Sequence, residues 1–137
     1  MLYFIPEVSH PMKTLLIVDD DAEDLRLAKE ALDGHGYRVL CFSDSEKALE
    51  QVEREKPDLM ILDVIMPKID GPSLAYQLHN QPATSDIAFI FLTSATFGLR
   101  TVFPMGEVTY EVLGKPIKKL QLLKTIQQVL SAQATHK

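Results

Sequence analysis

Short runs of apolar residues alternate with segments of helical period along most of the chain. Five runs have the length and continuity of strands that are buried on both faces of a parallel sheet. They lie at Thr14–Val18, Arg38–Phe42, Leu59–Leu62, Ile87–Leu92 and near Tyr110–Leu113. Because helical patterns fall between the runs, helices should cover both faces of the sheet. The pattern predicts a three-layer, doubly wound α/β fold with strand order 2-1-3-4-5.

Apolar stripes and capping residues place the helices between these strands. The first stripe consists of Leu25, Ala28 and Leu32, with Leu27 and Ala31 beside it. Asp21 is the predicted N-cap of that helix, and Glu23 and Asp24 suit the positive end of its dipole. Ser43 and Glu46 predict a capping box for the second helix. A third helix opens at Gly71-Pro72, and the last has a predicted stripe at Leu120, Leu123, Ile126 or Gln127, and Leu130.

The segment 96–106 stands where the alternation requires a fourth helix. It contains two glycines, a proline and several β-branched residues. These residue types disfavour a regular helix. We therefore expect an irregular fourth helix in this segment.

Length and composition indicate one globular domain. The chain has 137 residues, of which 46% are hydrophobic and 24% charged. The first twelve residues carry two prolines and no clear period. We predict an N-terminal arm at 1–12, the domain at 13–132 and a C-terminal tail at 133–137. This division leaves no room for a separate output domain.

Charge and hydropathy argue against several classes of partner. The formal net charge of −5 is unfavourable for direct nucleic-acid binding. The apolar runs are too short to span a bilayer, and none has the form of a signal peptide, so we expect no membrane insertion. Cys41 is the single cysteine, which excludes an internal disulfide and is typical of a cytoplasmic protein.

Polar residues follow the apolar runs at the points where the predicted strands end. They are Asp19, Asp20, Asp63, Thr93 and Lys115. Because the carboxyl ends of parallel strands share one edge of the sheet, these residues should converge there. Three neighbouring carboxylates repel one another, and a divalent cation relieves that repulsion. Oxygen donors favour Mg²⁺ or Mn²⁺ over zinc.

The same residues have the chemistry that phosphoryl transfer requires. Asp63 is ionised at neutral pH, so it can act as a nucleophile without a general base. Lys115 can pair with an anion on Asp63, and the Thr93 hydroxyl can donate to a phosphoryl oxygen. Since phosphoryl transfer depends mainly on positioning and charge neutralisation, we predict that Asp63 is a phosphate acceptor.

Four motifs in order resemble those of one known family. They are Leu15–Asp20, Leu62–Pro67 with Asp70-Gly71, Leu92–Ala95 and Gly114–Ile117. The spacings of 43 residues from Asp20 to Asp63, 30 to Thr93 and 22 to Lys115 also fit. Over residues 13–132 the chain resembles the receiver domain of two-component response regulators, with its flavodoxin-like fold.

The resemblance implies a role for each polar residue at the sheet edge. Asp63 would accept the phosphoryl group, while Thr93 and Lys115 would bind that group and switch the structure. The implied magnesium ligands are Asp19, directly or through water, Asp20, Asp63 and the backbone carbonyl of Ile65.

The resemblance also implies the partners. The phosphodonor would be a sensor histidine kinase, a histidine phosphotransfer protein or a small phosphodonor. The signal would pass by contact with an unknown downstream protein, and a phosphorylation-dependent dimer is compatible with it. The chain would not be an enzyme acting on other substrates, because it would catalyse only its own phosphorylation and dephosphorylation.

Some positions depart from the family pattern. The family usually has an aromatic residue three positions before the lysine, but Val112 stands there, and the nearest aromatic residue is Tyr110. This departure leaves open an interaction module whose partner binding is independent of phosphorylation. Neither Ile65 nor Ala95 can orient a water molecule, which predicts a long-lived phosphoryl state. A haloacid-dehalogenase-type hydrolase would need an aspartate where Ile65 stands.

Overall fold

The computed structural model describes residues 12–94 and 110–135, with side chains to residue 133. The strands are β1 (Lys13–Val18), β2 (Tyr37–Phe42), β3 (Leu59–Asp63), β4 (Ala88–Thr93) and β5 (Tyr110–Gly114). The helices are α1 (Ala22–Leu32), α2 (Ser45–Glu55), α3 (Gly71–His79) and a C-terminal helix (Lys119–Thr135), with a short 3₁₀ turn at Pro82–Thr84. The predicted alternation of strands and helices is confirmed for these residues.

All strand pairs in the sheet are parallel, and the strand order is β2-β1-β3-β4-β5. This is the predicted doubly wound order. At the centre of the sheet Ile17 pairs with Ile61, and Ile61 pairs with Ile90. The chain reverses its direction of travel across the sheet between β1 and β3, so the carboxyl ends of these strands flank the switch point where such folds bind ligands.

Both faces of the sheet are buried, which explains why the strand sequences are continuously apolar. On one face Leu16, Met60 and Phe89 pack in a core that also contains residues of α2 and α3. On the other face Ile17 and Ile61 belong to a second core that contains residues of α1 and the C-terminal helix. The predicted three layers are therefore present.

The helix caps agree with the sequence for α1 and disagree for α2. The Asp21 carboxylate accepts hydrogen bonds from the first-turn amides of α1, as predicted. The predicted capping box at Ser43 is wrong, because Asp44 is the N-cap and accepts from the amides of Glu46 and Lys47. The helix begins one residue later than the sequence suggested, since Asp44 has the extended backbone that an N-cap requires.

The buried stripe of the C-terminal helix agrees with the predicted one except at its first position. The predicted Ile126 is buried, and the predicted Leu123 and Leu130 pack against the same core. Leu122 and Val129, which were not predicted, are also buried, whereas the predicted Leu120 is 80% exposed. Leu27 of α1, predicted beside the apolar face, is likewise exposed. The apolar face of this helix is therefore wider than predicted and includes Leu122 and Val129, and Leu120 lies outside it.

Several predictions lie outside the described residues or remain predictions. The irregular fourth helix at 96–106 and the position of Ala95 fall in the segment that the structure does not describe. The bounds 1–12, 13–132 and 133–137 remain predictions, although the C-terminal helix continues to Thr135. Among the helices that the structure describes, none combines the length and apolar character needed to cross a bilayer.

Candidate functional site

Three carboxylates lie together at the carboxyl ends of β1 and β3. Asp19, Asp20 and Asp63 each offer one oxygen, and these oxygens lie within 4.8 Å of one another. Asp19 is only 1% exposed, Asp63 is half-buried and Asp20 is open to solvent. A buried cluster of one charge sign is costly unless a cation compensates it. The all-oxygen donors and the solvent-facing Asp20 fit a hard divalent cation such as Mg²⁺.

Lys115 brings a positive charge into this cluster from the loop after β5. Its ammonium nitrogen lies 2.9 Å from Asp19 Oδ2, 2.8 Å from Asp24 Oδ2 and 3.4 Å from Asp63 Oδ1. Only 14% of the side chain is exposed. The peptide bond from Lys115 to Pro116 is cis. The structure therefore places the predicted lysine beside the predicted nucleophile.

Thr93 ends β4 directly beside β5, the strand that Lys115 follows. Thr93 is buried and pairs with Gly114, and its backbone carbonyl accepts a 2.8 Å hydrogen bond from the Lys115 amide. On its other side β4 pairs with β3, where Leu92 lies opposite Asp63. The predicted hydroxyl residue and the predicted nucleophile thus end neighbouring strands.

The site raises the pKa of the Asp63 carboxyl above its usual value. Burial, first, and then the neighbouring Asp19 charge raise the pKa of its carboxyl, Lys115 opposes both effects, and the net pKa is about 6. Asp63 is therefore mostly ionised at pH 7, as a nucleophile requires. Burial lowers the pKa of Lys115, but its hydrogen bonds to Asp24 and Asp19 outweigh burial and leave that pKa above the usual value. Lys115 accordingly stays cationic throughout the physiological range.

A glycine supports the backbone at the nucleophile. A Cβ atom on Gly71 would lie 2.2 Å from the Asp63 carbonyl oxygen, which no side chain tolerates. The Gly71 amide donates to the Val64 carbonyl, and the Val64 amide donates to the Leu92 carbonyl. The sequence analysis placed Gly71 at the start of α3 and in the motif with Asp70. Its close approach to Asp63 depends on how the loop after β3 folds back onto the strand, and the amino-acid pattern alone does not predict that contact.

The loop after β3 is tied to the start of α2. Buried Ser45 donates its hydroxyl to the Pro67 carbonyl at 3.2 Å. Lys68, which has the left-handed φ of +70°, places its ammonium 2.9 Å from the Asp44 carboxylate. This loop carries Ile65, whose side chain is 76% exposed. The assignment of the Ile65 carbonyl as a metal ligand remains a prediction.

Asp24 is the site residue whose role the sequence analysis missed. It lies in the first turn of α1, where the sequence indicated only a favourable helix-dipole contact. Its carboxylate instead pairs with Lys115, which is 91 positions away in the chain. Its place in the first turn of the helix that follows Asp19 and Asp20 is the signal that could have suggested a position at this edge.

Val112, which departs from the family pattern, and Tyr110, the nearest aromatic residue, both lie in β5 and are partly buried. Tyr110 and Val112 both pack against the core that contains α2 and α3. The Tyr110 ring makes an edge-on contact with Phe91, with the ring centres 5.7 Å apart. The nearest aromatic residue is thus engaged in the core, and the effect of Val112 on switching remains a prediction.

Comparisons with known proteins identify similar sequences. The model of the response regulator receiver domain matches residues 15–127. Protein PilH of Pseudomonas aeruginosa is 31% identical over 120 residues, which cover 88% of this chain and 99% of that protein. The alkaline phosphatase synthesis transcriptional regulatory protein PhoP of Bacillus subtilis is 32% identical over 118 residues, or 86% of this chain. The chain spans 48% of the length of PhoP.

Solved structures show the same fold. A CheY-like response regulator receiver domain protein of Methanospirillum hungatei has a TM-score of 0.81 at 26% identity, covering 92% of this chain and 99% of that chain. The receiver domain of a sensor histidine kinase from Pseudomonas aeruginosa was solved with a magnesium ion coordinated in its active-site cleft. It has a TM-score of 0.77 at 23% identity, covering 88% of this chain and 98% of that chain, a likeness of fold.

Proposed function

This chain belongs to the response regulator receiver domain family, and on that premise we propose that Asp63 accepts a phosphoryl group in two-component signalling. The donor is a sensor histidine kinase or a histidine phosphotransfer protein, and a small phosphodonor can substitute for it. One observation carries the proposal: Asp63 lies beside Lys115 within the acidic cluster at the sheet edge. Receiver domains are signalling modules, so the chemistry is confined to the chain's own phosphorylation and dephosphorylation.

Receiver domains bind Mg²⁺ in their acidic site, and the residues of this cluster fit that ion. Asp20, Asp63 and the Ile65 carbonyl would hold it, with Asp19 binding directly or through water. When bound, Mg²⁺ would neutralise the charge on the phosphoryl oxygens during transfer.

The chain's own residues would supply the nucleophile and the groups that stabilise the transferred phosphoryl group. A carboxylate oxygen of Asp63 attacks phosphorus, a new P–O bond forms, and the bond to the donor breaks with its electron pair leaving on the donor. The Lys115 ammonium stabilises the anion that results, and the Thr93 hydroxyl donates to a phosphoryl oxygen. The buried surroundings of Asp19 and Thr93 strengthen these charge interactions by excluding water.

The output is protein contact. We propose a cytoplasmic protein that binds a downstream partner when Asp63 is phosphorylated, with a phosphorylation-dependent dimer as one form of that contact. Direct nucleic-acid binding and membrane insertion are not part of the proposal, because the net charge is −5 and the predicted strands are short.

Intact-mass measurement after incubation with Mg²⁺ and acetyl phosphate tests this function. One added phosphoryl group, about +80 Da, is expected on the wild type and not on Asp63→Asn. Chelation by EDTA should abolish the adduct. If purified cognate kinase and acetyl phosphate both fail to label the folded wild type, the proposed function is wrong.

Val112 supports a second candidate, a module whose partner binding ignores phosphorylation. The position usually holds an aromatic switch residue, and the nearest aromatic, Tyr110, already contacts Phe91 in the core. Partner capture with wild type and Asp63→Asn, each with and without acetyl phosphate, separates the candidates. Equal capture in all four samples would favour the phosphorylation-independent module.

A further inference from the structure

We propose that Asp24 is a positioning residue that restrains Lys115 in the unphosphorylated protein and competes with the phosphoryl group for its ammonium. This inference rests on the proposed function of Asp63 and adds a regulatory element to the same site. Asp24 is not among the three carboxylates that could share a cation. Its contact with Lys115 therefore needs a separate explanation.

The distances show where the Lys115 ammonium rests. It lies 2.8 Å from Asp24 and 2.9 Å from Asp19, both within the range of strong charge-assisted hydrogen bonds. The distance to Asp63 is 3.4 Å, which is longer than that range. The lysine thus rests on the α1 side of the site, away from the carboxylate that would carry the phosphoryl group.

The two resting partners of Lys115 differ in what else they do. Asp19 is almost fully buried, accepts a hydrogen bond from the Asp21 amide and belongs to the cation cluster. Asp24 is 29% exposed and projects from the first turn of α1. When Lys115 turns to a phosphoryl group, the Asp24 carboxylate can be solvated by water at little cost. Asp24 is consequently the partner that Lys115 can exchange.

A competing carboxylate sets a threshold for the switch. Every phosphoryl oxygen that recruits Lys115 must displace the Asp24 contact, so the contact reduces the affinity of the site for the anion. Replacing Asp24 by asparagine keeps the size and removes the charge. We expect Asp24→Asn to bind beryllium fluoride, a mimic of the acyl phosphate, roughly three- to tenfold more tightly in the presence of Mg²⁺.

Two variants control for charge and for side-chain type. Glu23→Gln removes one negative charge from the same turn of α1, where Glu23 pairs with Arg26 and not with Lys115. It should change the affinity for beryllium fluoride by less than about twofold, because exposed charges act weakly at a distance. Asp24→Glu retains the carboxylate, so its affinity for beryllium fluoride should stay close to that of the wild type.

A second readout needs neither metal nor anion. In metal-free protein labelled with ¹⁵N, the Lys115 ammonium protons should exchange with water faster in Asp24→Asn than in wild type or Glu23→Gln. Calorimetric titration with beryllium fluoride and Mg²⁺ then gives the affinities of all four proteins.

The outcomes separate this inference from the proposed function. Tighter binding and faster ammonium exchange in Asp24→Asn, with Glu23→Gln unchanged, support the restraint. Unchanged or weaker binding in Asp24→Asn, or an equal gain in Glu23→Gln, overturns it while wild-type phosphorylation stands. A wild type that neither binds beryllium fluoride nor gains a phosphoryl group overturns both.

Discussion

Replacing Asp63 by asparagine in the metal-free protein is expected to stabilise the fold at neutral and alkaline pH. Asparagine has nearly the same shape and carries no charge, so it removes the ionised carboxylate that burial and Asp19 disfavour. The pKa of Asp63 rises from 3.8 to about 6 on folding, and a shift of one pKa unit corresponds to about 1.36 kcal/mol. The stabilisation should therefore be about 2–3 kcal/mol.

The sign of the pH dependence follows from linkage. Between the unfolded pKa of 3.8 and the folded value of about 6, the folded wild type binds more protons at Asp63 than the unfolded chain does. The free energy of unfolding of the wild type therefore falls as pH rises through this window, relative to the variant. The advantage of Asp63→Asn should be absent below pH 3.8, grow between the two values and be complete above pH 6.

Urea denaturation in EDTA at a series of pH values measures this difference. Asp86→Asn, an exposed aspartate before β4, is the matched control and should change the free energy of unfolding by less than about 0.5 kcal/mol. Equal stabilities of wild type and Asp63→Asn at pH 8 would refute the reasoning, as would a difference that does not vary with pH.

The remaining predictions concern the metal, the supporting glycine, the lysine and the C-terminal helix. Mg²⁺ at a hundred times its Kd should raise the free energy of unfolding of the wild type by about 2.7 kcal/mol, measured by urea denaturation. It should raise that of Asp63→Asn less, and equal gains in both would place the ion elsewhere. Gly71→Ala should destabilise the protein by about 1–3 kcal/mol, because its methyl group would clash with the Asp63 carbonyl; an unchanged urea midpoint would show that the backbone yields freely. Lys115→Met should cost about 3–5 kcal/mol at neutral pH without metal, since it leaves the buried Asp19 carboxylate unpaired. Acidification should recover part of that loss of stability. A loss that does not depend on pH would argue that the unpaired carboxylate charge is not its cause. Leu122→Ala should cost about 2–5 kcal/mol and Leu120→Ala less than about 0.5 kcal/mol in thermal or urea unfolding; the opposite order would restore the stripe predicted from the sequence.

The sheet and the convergence of the site were predictable because each rests on a simple rule. Apolar residues on both faces of a strand need cover on both sides, and a central parallel sheet with two helical layers supplies it. Polar residues that end such strands then share an edge, as Asp19 and Asp63 do. Neither inference depends on the exact residue at which an element begins.

The errors arose where two local solutions had similar energies. Ser43 and Asp44 are both good N-caps, and the sequence alone does not say which residue adopts the extended backbone. The C-terminal helix has apolar residues beyond the predicted stripe, and only contact with the sheet shows that Leu122 and Val129 are buried and that Leu120 is not. Asp24 was missed for a different reason, because its partner Lys115 is distant in the chain and an acid in a first helical turn already has a sufficient local explanation.

The hydrogen bond from the Lys115 amide to the Thr93 carbonyl has a mechanical consequence. The side chains of Thr93 and Lys115 are proposed to bind the same phosphoryl group. Their backbones are also linked, because the Lys115 amide donates to the Thr93 carbonyl at 2.8 Å. If a phosphoryl group binds the Thr93 hydroxyl and shifts the Thr93 backbone, the start of the loop after β5 must shift with it, or this hydrogen bond must break. The ends of β4 and β5 would then move together. The C-terminal helix begins only four residues after Lys115, so the same movement would reach the start of that helix.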